Sequence, residues 1–458
     1  MSSIFRPSSS LLLLSVVVAC GAPSESEVAE RSSHEQREPL GASELIPGPW
    51  TSTYGGIEGF GDVAVQSSGH VAFVATSSWD ILVARFDPSG RPLWTRRFGD
   101  ENYQQATGLA VDGAGNIFVT GDYWGSLDFG GGPLPCRGEP GDPRAFLAKL
   151  DAQGAHVWSR CFGDAGQQQT GVLVAASNGD VLVSGYFEHF IDYDTGPIPA
   201  TGPLNQFVAR LAGSTGALVW HRQYDAGTAT ALTSLALDDQ ENLYLSSGYM
   251  DVLSVDGVPW LTAPGFNVYL MKLDAHGLPL WAKGHGALRT QTHWRLAADH
   301  QGQVVATGAF IGTVDHGGGP LFSADGDVFV SAFDSDGNNR WSRSFGGPGF
   351  DWAYDVDVDP LGSPVVTGTF SSRIDFGDGP LTSAGGDDVY VVKLGRDGET
   401  WWSRGFGDLG NQSAQRVVTA GRRDVVLWGR LLGTLDFGAG PVTGRSSTDS
   451  FLTRVSPE

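Results

Sequence analysis

The chain has 458 residues, 65 of them Gly and only 17% charged, a composition that excludes a coiled coil and a charged disordered polymer. Hydrophobic residues make up 41%, with 14 Trp and 24 Phe, enough for a large core, and this length carries an expectation of two or three domains unless a closed all-β architecture holds it in one. A formal charge of −22, from 51 acidic and 29 basic side chains, speaks against a nucleic-acid partner, whose phosphates would be repelled.

Arg6 precedes the apolar run Leu11 to Ala19, too short to span a bilayer and of the length of a secretory h-region. The site Val17-Val18-Ala19-Cys20 resembles the bacterial lipobox. That resemblance implies a lipoprotein signal peptide over 1–19, a lipid such as palmitate on Cys20, and a place in the bacterial cell envelope. Gly21, where an Asp would retain the protein, points to the outer membrane or cell surface. An ordinary signal peptide with an incidental Cys is the alternative. Residues 20–47 carry Glu25, Glu27, Glu30, Glu35 and Glu38 and almost no aromatics, so they cannot bury enough surface to order themselves and read as a tether. With Cys20 used, Cys136 and Cys161 form an even pair in an oxidising compartment, which invites a disulfide. Two free thiols packed as small hydrophobes is the other reading.

From residue 48 to 458 the sequence repeats. A Trp before a short polar run recurs at Trp50, Trp94, Trp158, Trp220, Trp281, Trp341 and Trp402, with successive spacings of 44, 64, 62, 61, 60 and 61. Within each period Gly108-Leu109-Ala110-Val111-Asp112, a Gly/Asn turn and Ile117-Phe118-Val119-Thr120-Gly121 predict an antiparallel hairpin. After a loop, Phe146-Leu147-Ala148-Lys149-Leu150-Asp151 and Val157-Trp158-Ser159-Arg160 predict a second. Four strands per unit without helical periodicity predict an all-β, seven-bladed β-propeller in a single domain. The seventh unit stops at Val455-Ser456-Pro457-Glu458, after its third strand, while Pro49-Trp50-Thr51-Ser52 is a fourth strand lacking the preceding three. The N-terminal strand around Trp50 is therefore expected to complete the C-terminal blade beside Phe451 and leave no open edge.

These segments resemble the SBBP repeat of secreted and surface bacterial proteins, a resemblance that covers Trp50 to Val455. It implies the propeller fold and no common catalytic residue. Asp87-Pro88-Ser89-Gly90 before Trp94 and Ser214-Thr215-Gly216 before Trp220 are similar to the tryptophan-docking turns of quinoprotein propellers, which implies blades locked together by Trp.

The connection between the second and third strands carries a recurring Asp, aromatic, two variable residues, Gly, Pro, led by Asp128, Asp192, Asp315, Asp375 and Asp436. The fourth unit reduces it to Asp256-Gly257-Val258-Pro259 and the first lacks it, which explains the short spacing. Two readings stand: turn chemistry, in which Asp caps its own loop and the aromatic packs down, or a rim of carboxylates that holds calcium. No other cofactor is expected. Tyr123, Trp124, Tyr186, Phe187, Tyr249 and Trp260 are the candidate loop contacts, with burial beneath the loop as the alternative. Gly405-Phe406-Gly407-Asp408-Leu409-Gly410 fits a dinucleotide fingerprint but leads into a strand rather than a helix, and no Gly-x-Ser-x-Gly elbow or His pair of a zinc protease occurs. The expectation is a non-catalytic, monomeric binding or scaffold module that meets an envelope protein or glycan and touches the membrane only through its N-terminal lipid. A propeller enzyme, either a quinone-dependent dehydrogenase or a glycan-active hydrolase or lyase, is the alternative.

Overall fold

The computed structural model describes residues 49–456, apart from 136–142, 163–165, 203, 228–233, 288–290 and 422. Cys20 and Cys136, with the leader and the tether, lie outside the described residues. Every regular element among the described residues is a β-strand.

The first repeat forms an antiparallel sheet of Ile57–Val65, Val71–Ser77, Asp80–Phe86 and Pro92–Phe98, in chain order. The second repeats the pattern with Gln104–Val111, Ile117–Tyr123, Arg144–Leu150 and His156–Phe162. So do the fifth, with Gln291–Ala298, Val304–Asp315, Pro320–Phe333 and Asn339–Phe345, and the sixth, with Trp352–Val358, Pro364–Phe370, Asp388–Leu394 and Thr400–Phe406. The third repeat has Gln168–Ala175, Val181–Phe187, Asn205–Leu211 and Leu218–Asp225; the fourth has Ser234–Leu237, Leu243–Val255, Val258–Leu273 and Pro279–Ala287. These two join into one eight-stranded sheet because Tyr224 and Asp225 pair with Val255 and Ser254. The seventh contains Gln412–Ala420, Asp424–Leu431 and Ser450–Val455, and its fourth strand is Thr51–Tyr54 from the other end of the chain. Thr51 pairs with Thr453 and Thr53 with Phe451, and the Arg454 amide donates to the Trp50 carbonyl at 2.9 Å, the register expected of those segments.

Within the four-stranded sheets the second and third strands are almost wholly buried, as in Val71–Ser77 and Asp80–Phe86, while the fourth strand of the first repeat is largely exposed; the extensions of these strands in the fourth and fifth repeats reach solvent. Middle strands are packed on both faces, so they read as continuous apolar runs.

One contact recurs between neighbouring repeats. The turn from third to fourth strand ends in a Gly in the left-handed region, such as Gly154 (φ 77°) or Gly216 (φ 69°), and the Trp of the preceding repeat lies flat on it. A Cβ on Gly216 would sit 2.8 Å from the Trp158 ring, and one on Gly277 2.7 Å from Trp220, so only glycine fits both the backbone and the ring. Each indole also donates to the carbonyl two or three residues before that Gly: Trp94 to Ala152 at 3.0 Å, Trp158 to Gly213 at 3.0 Å, Trp220 to Ala275 at 3.1 Å, Trp281 to Ser335 at 3.1 Å and Trp341 to Arg396 at 2.8 Å. This is the geometry that the docking-turn resemblance implies.

Trp158 is buried (7% exposed). Trp158→Ala is expected to destabilise the protein by about 3–5 kcal/mol through the cavity it leaves. Trp158→Phe, which mainly removes the bond to Gly213, should cost nearer 1 kcal/mol. Urea unfolding of the two variants against the parent checks both the order and the gap.

Candidate functional site

In a propeller blade the connection from second to third strand opens on the same face as the link to the next blade, so six elaborated connections and one bare turn make up one rim. Its carboxylates are occupied locally. Asp128 Oδ1 accepts the amides of Gly130 and Gly132 at 2.7 and 3.0 Å, and Asp315 and Asp436 do the same for Gly317 and Gly319 and for Gly438 and Gly440. Asp192 caps Thr195 and Gly196, and Asp375 caps Gly377. The residue after each Asp goes down into the core: Phe129 stacks between Phe98 of the preceding sheet and Phe146 of its own (4.8 and 5.3 Å), and Phe437 lies likewise between Phe406 and Phe451. In the fifth repeat His316 takes that place, bonded through Nδ1 to Ser331 Oγ at 2.8 Å, and burial lowers its pKa to about 3. The five carboxylates sit in five separate loops, and no group of three or more His, Cys, Asp or Glu side chains able to hold a metal occurs among the described residues.

The aromatic candidates divide. Tyr123, Phe187 and Tyr249 are core residues, at most 2% exposed. This corrects their reading as loop contacts: they share the inward face of the second strand with Val119, Val183 and Leu245, and each ring meets one on the third strand, Phe146, Phe207 and Tyr269. Trp124 and Tyr186 are half-buried, with the Tyr186 hydroxyl donating to Gln169 Oε1 at 2.6 Å, and Trp260 is exposed.

Trp260 stands on a feature the sequence reading had as a degraded loop. In the fourth repeat Leu243–Val255 and Val258–Leu273 continue past the sheet as a paired ribbon, turning at Asp256 and Gly257, both at positive φ. The fifth repeat builds a similar ribbon, with Thr313 opposite Phe322 and Val314 opposite Leu321. One face of each ribbon covers the core through Leu253, Val255 and Val314. The other presents Val252 and Trp260, and Ile311 and Phe322, to solvent, with Phe322 67% exposed; Val258, at the ribbon tip opposite Val255, is 59% exposed. Phe350 and Leu409, in the links between later repeats, and Leu432, just after the second strand of the seventh, add exposed apolar side chains.

The inner strands hold a charge set that sequence reasoning missed. In six of the repeats the first strand carries an irregularity against the second, for example between Ala106 and Gly108 or Ala353 and Asp355. An amide set free by such an irregularity must find another acceptor. Several take a side chain of the preceding repeat: Leu109 N donates to Asp62 Oδ2 at 3.0 Å, Leu296 N to Ser234 Oγ at 2.9 Å, Val417 N to Asp355 Oδ2 at 2.9 Å and Thr419 N to Asp357 Oδ2 at 2.7 Å. Arg416 then bridges to Asp62 at 3.0 Å, and Arg295 and Arg416 both draw on Asp355. Arg295, Asp355, Arg416 and Asp62 occupy the same register in four successive inner strands, where the other three repeats have Gly108, Val172 and Ser234. Lining up the repeats at that register would have exposed them. Burial nevertheless raises Asp355 to about 6 and lowers Arg295 to about 10.

A second acidic group lies at the outer end of the sixth repeat's inner strand. Asp351 is fully buried and accepts the amides of Gly347 and Ser371 at 3.2 and 3.4 Å; burial, with Asp327 and Asp387 nearby, raises it to about 7. Gln104 and Gln412 hold the same place in other repeats, each donating to an Asp four residues earlier at 2.7 Å. Here that earlier residue is Gly347, and the carboxylate stands without the reciprocal partner. Cys161, in the fourth strand of the second repeat, is disulfide-bonded.

The sheets and the Trp–Gly interlocks between them define a β-propeller-type repeat protein. The chain carries the SBBP β-propeller repeat, whose family model matches residues 93–127. No curated protein matches the chain. Among solved structures it is similar to the Dos1 propeller, at 10% identity over 86% of this chain and 76% of that one with a TM-score of 0.43. It is also similar to YCF48 bound to the D1 peptide, at 10% identity over 93% and 100% with a TM-score of 0.42. A gluconolactonase from Xanthomonas campestris is a further likeness, at 14% identity over 72% and 92% with a TM-score of 0.35.

Asp351 and Asp355 hold a proton more tightly in the folded chain than the usual carboxylate value of about 3.9 allows once unfolded. Their contribution to stability therefore grows as pH falls from about 8 toward 4 and is lost as pH rises through about 6 and 7. Asp351→Asn is expected to raise stability at pH 8 and flatten its dependence between pH 8 and 5, where one such group accounts for at most about 1.4 kcal/mol per pH unit. Urea midpoints across that range, in parent and variant, test it; an unchanged slope refutes the assignment to Asp351.

Proposed function

We propose that the chain is a seven-bladed β-propeller, closed by its N-terminal strand and held at the cell envelope by a lipid on Cys20, that works as a non-catalytic binding or scaffold module for an envelope protein or glycan. Seven repeats with the same four-stranded plan support the blade number. Closure is supported by the pairing of Thr51–Tyr54 with Ser450–Val455 and by the bridge from Arg416 of the last inner strand to Asp62 of the first. The lipid rests on Val17-Val18-Ala19-Cys20 alone.

The observation that carries the binding reading is the solvent face of the ribbons in the fourth and fifth repeats. Trp260, Ile311 and Phe322 leave the sheet core and stay exposed, although Thr382 and Thr443 hold comparable outward places on the ribbons of the sixth and seventh repeats. Apolar side chains on a ribbon that already buries its other face do nothing for the fold, and exposed apolar groups gathered on one face mark interaction surfaces. The charged groups of the inner strands are spent on backbone amides and on one another, as a scaffold uses them.

Crosslinking on intact cells, followed by recovery of the protein, should yield a stoichiometric partner with the parent and lose it with a Trp260→Ser, Phe322→Ser double variant. Stability should change by no more than about 0.5 kcal/mol, as for other surface positions; an undiminished partner sinks the rim assignment. Cys20→Ser should move the protein from the membrane fraction to the soluble one without altering its fold, and unaltered fractionation would refute the lipid anchor.

A further inference from the structure

The rim is interrupted over the first repeat. Elsewhere the second and third strands are joined by long segments, such as residues 124–143 and 188–204, or by the ribbons of the fourth and fifth repeats. In the first repeat the join is Ser78 and Trp79 alone, with φ of 50° and 70°. Two-residue turns of this kind are the province of Asn-Gly, and a bulky side chain at positive φ is a conformational outlier. Burial does not account for Trp79, whose ring stays half-exposed.

That ring belongs to a cluster. Trp79 meets Tyr103 at 5.9 Å and 76°, and Tyr103 meets Trp124 at 5.5 Å and 63°. All three are half-buried. Their backbones are tied together: Gln104 N donates to the Trp79 carbonyl at 2.8 Å and Trp124 N to the Tyr103 carbonyl at 2.9 Å. Asp100 fixes the edge of the cluster by accepting the amides of Asn102 and Ser126 at 2.8 Å each, and Arg144 donates to the Gly125 carbonyl at 3.2 Å. Glu101 and Asn102 are exposed beside it. The polar border thus mixes two acids, an amide and a guanidinium; Asp100 is spent on backbone amides and the excess of acid disfavours an anionic ligand. Rigid aromatic faces bordered by a few planar hydrogen-bonding groups suit a neutral ring with one C–H face and hydroxyls at its edge.

We propose that the notch over the first repeat, floored by Trp79, Tyr103 and Trp124, binds a saccharide. This deepens the reading of the loop rim as the binding surface but stands on different residues from the ribbons, so the two can fail separately. The mature chain, applied to an array of immobilised neutral and acidic oligosaccharides and titrated with the retained sugar by intrinsic tryptophan fluorescence, should bind a neutral member. Trp79→Gly and Tyr103→Ala should each weaken that binding at least tenfold, and Leu93→Ser, on an outer strand, should leave it unchanged. Trp79→Gly also relieves the turn, so its melting temperature should hold or rise; a ring needed only for the fold would lower it. Retention of no oligosaccharide, retention of acidic ones alone, or an affinity unmoved by both aromatic variants overturns the proposal. The crosslinked partner of the ribbon face is scored independently of all these outcomes.

Discussion

At five of the junctions between successive repeats one carbonyl oxygen joins a sheet to the sheet before it. It lies in the turn between the third and fourth strands and receives the indole N–H of the preceding repeat. In several repeats it also receives the basic side chain that ends the preceding third strand: Arg85 reaches Ala152, Lys149 reaches Gly213, Arg210 reaches Ala275 and Lys272 reaches Ser335. The same cation is anchored on its own repeat by the first Asp of the opposite hairpin, as in Lys149 with Asp112, Lys272 with Asp238 and Lys393 with Asp359. A buried charge without a partner would be strongly destabilising, so Asp, Lys and Trp come as a set. The fifth repeat shows the rule by its exception. Ala332 stands in place of the cation, and Arg396 of the next repeat reaches back to Asp299 at 2.7 Å.

At the seam between chain ends the arrangement changes. Arg454 donates to the Pro88 carbonyl at 3.1 Å and pairs with Asp424 at 2.7 Å, as its counterparts do. The Trp50 ring packs against Gly90, yet its buried indole N–H has no hydrogen-bond acceptor. Trp402 faces the repeat whose third-to-fourth turn is replaced by the two chain ends, and it packs against that repeat's apolar cluster instead. The seam therefore rests on strand pairing and the Arg454 bridge more than on the Trp interlock.

The interlocks and several inner-strand amides hold neighbouring repeats together, while the rim carboxylates cap their own loops. The connections differ most from repeat to repeat: a bare turn in the first, long ribbons in the fourth and fifth, short ones in the sixth and seventh. Loops that vary on a shared frame are how a repeat protein acquires a binding surface with little change to its core.

Strand alternation, the 61-residue period and the unmatched Trp50 segment were enough to read out the all-β repeat plan and the pairing of the two chain ends, because each depends on spacing within one chain. The Asp-led loops were also legible, since an Asp two to four residues before a Gly caps its own backbone wherever it sits. Tertiary structure decided which rings are covered, turning Tyr123, Phe187 and Tyr249 inward while leaving Trp260 exposed, and it joined the third and fourth repeats through Tyr224 and Val255. It brought Arg416 onto Asp62, set Arg295 and Arg416 beside Asp355, and drew Trp79, Tyr103 and Trp124 into one cluster. Those groupings form between residues dozens to hundreds of positions apart, where the stacking of sheets, and no local propensity, sets the distance.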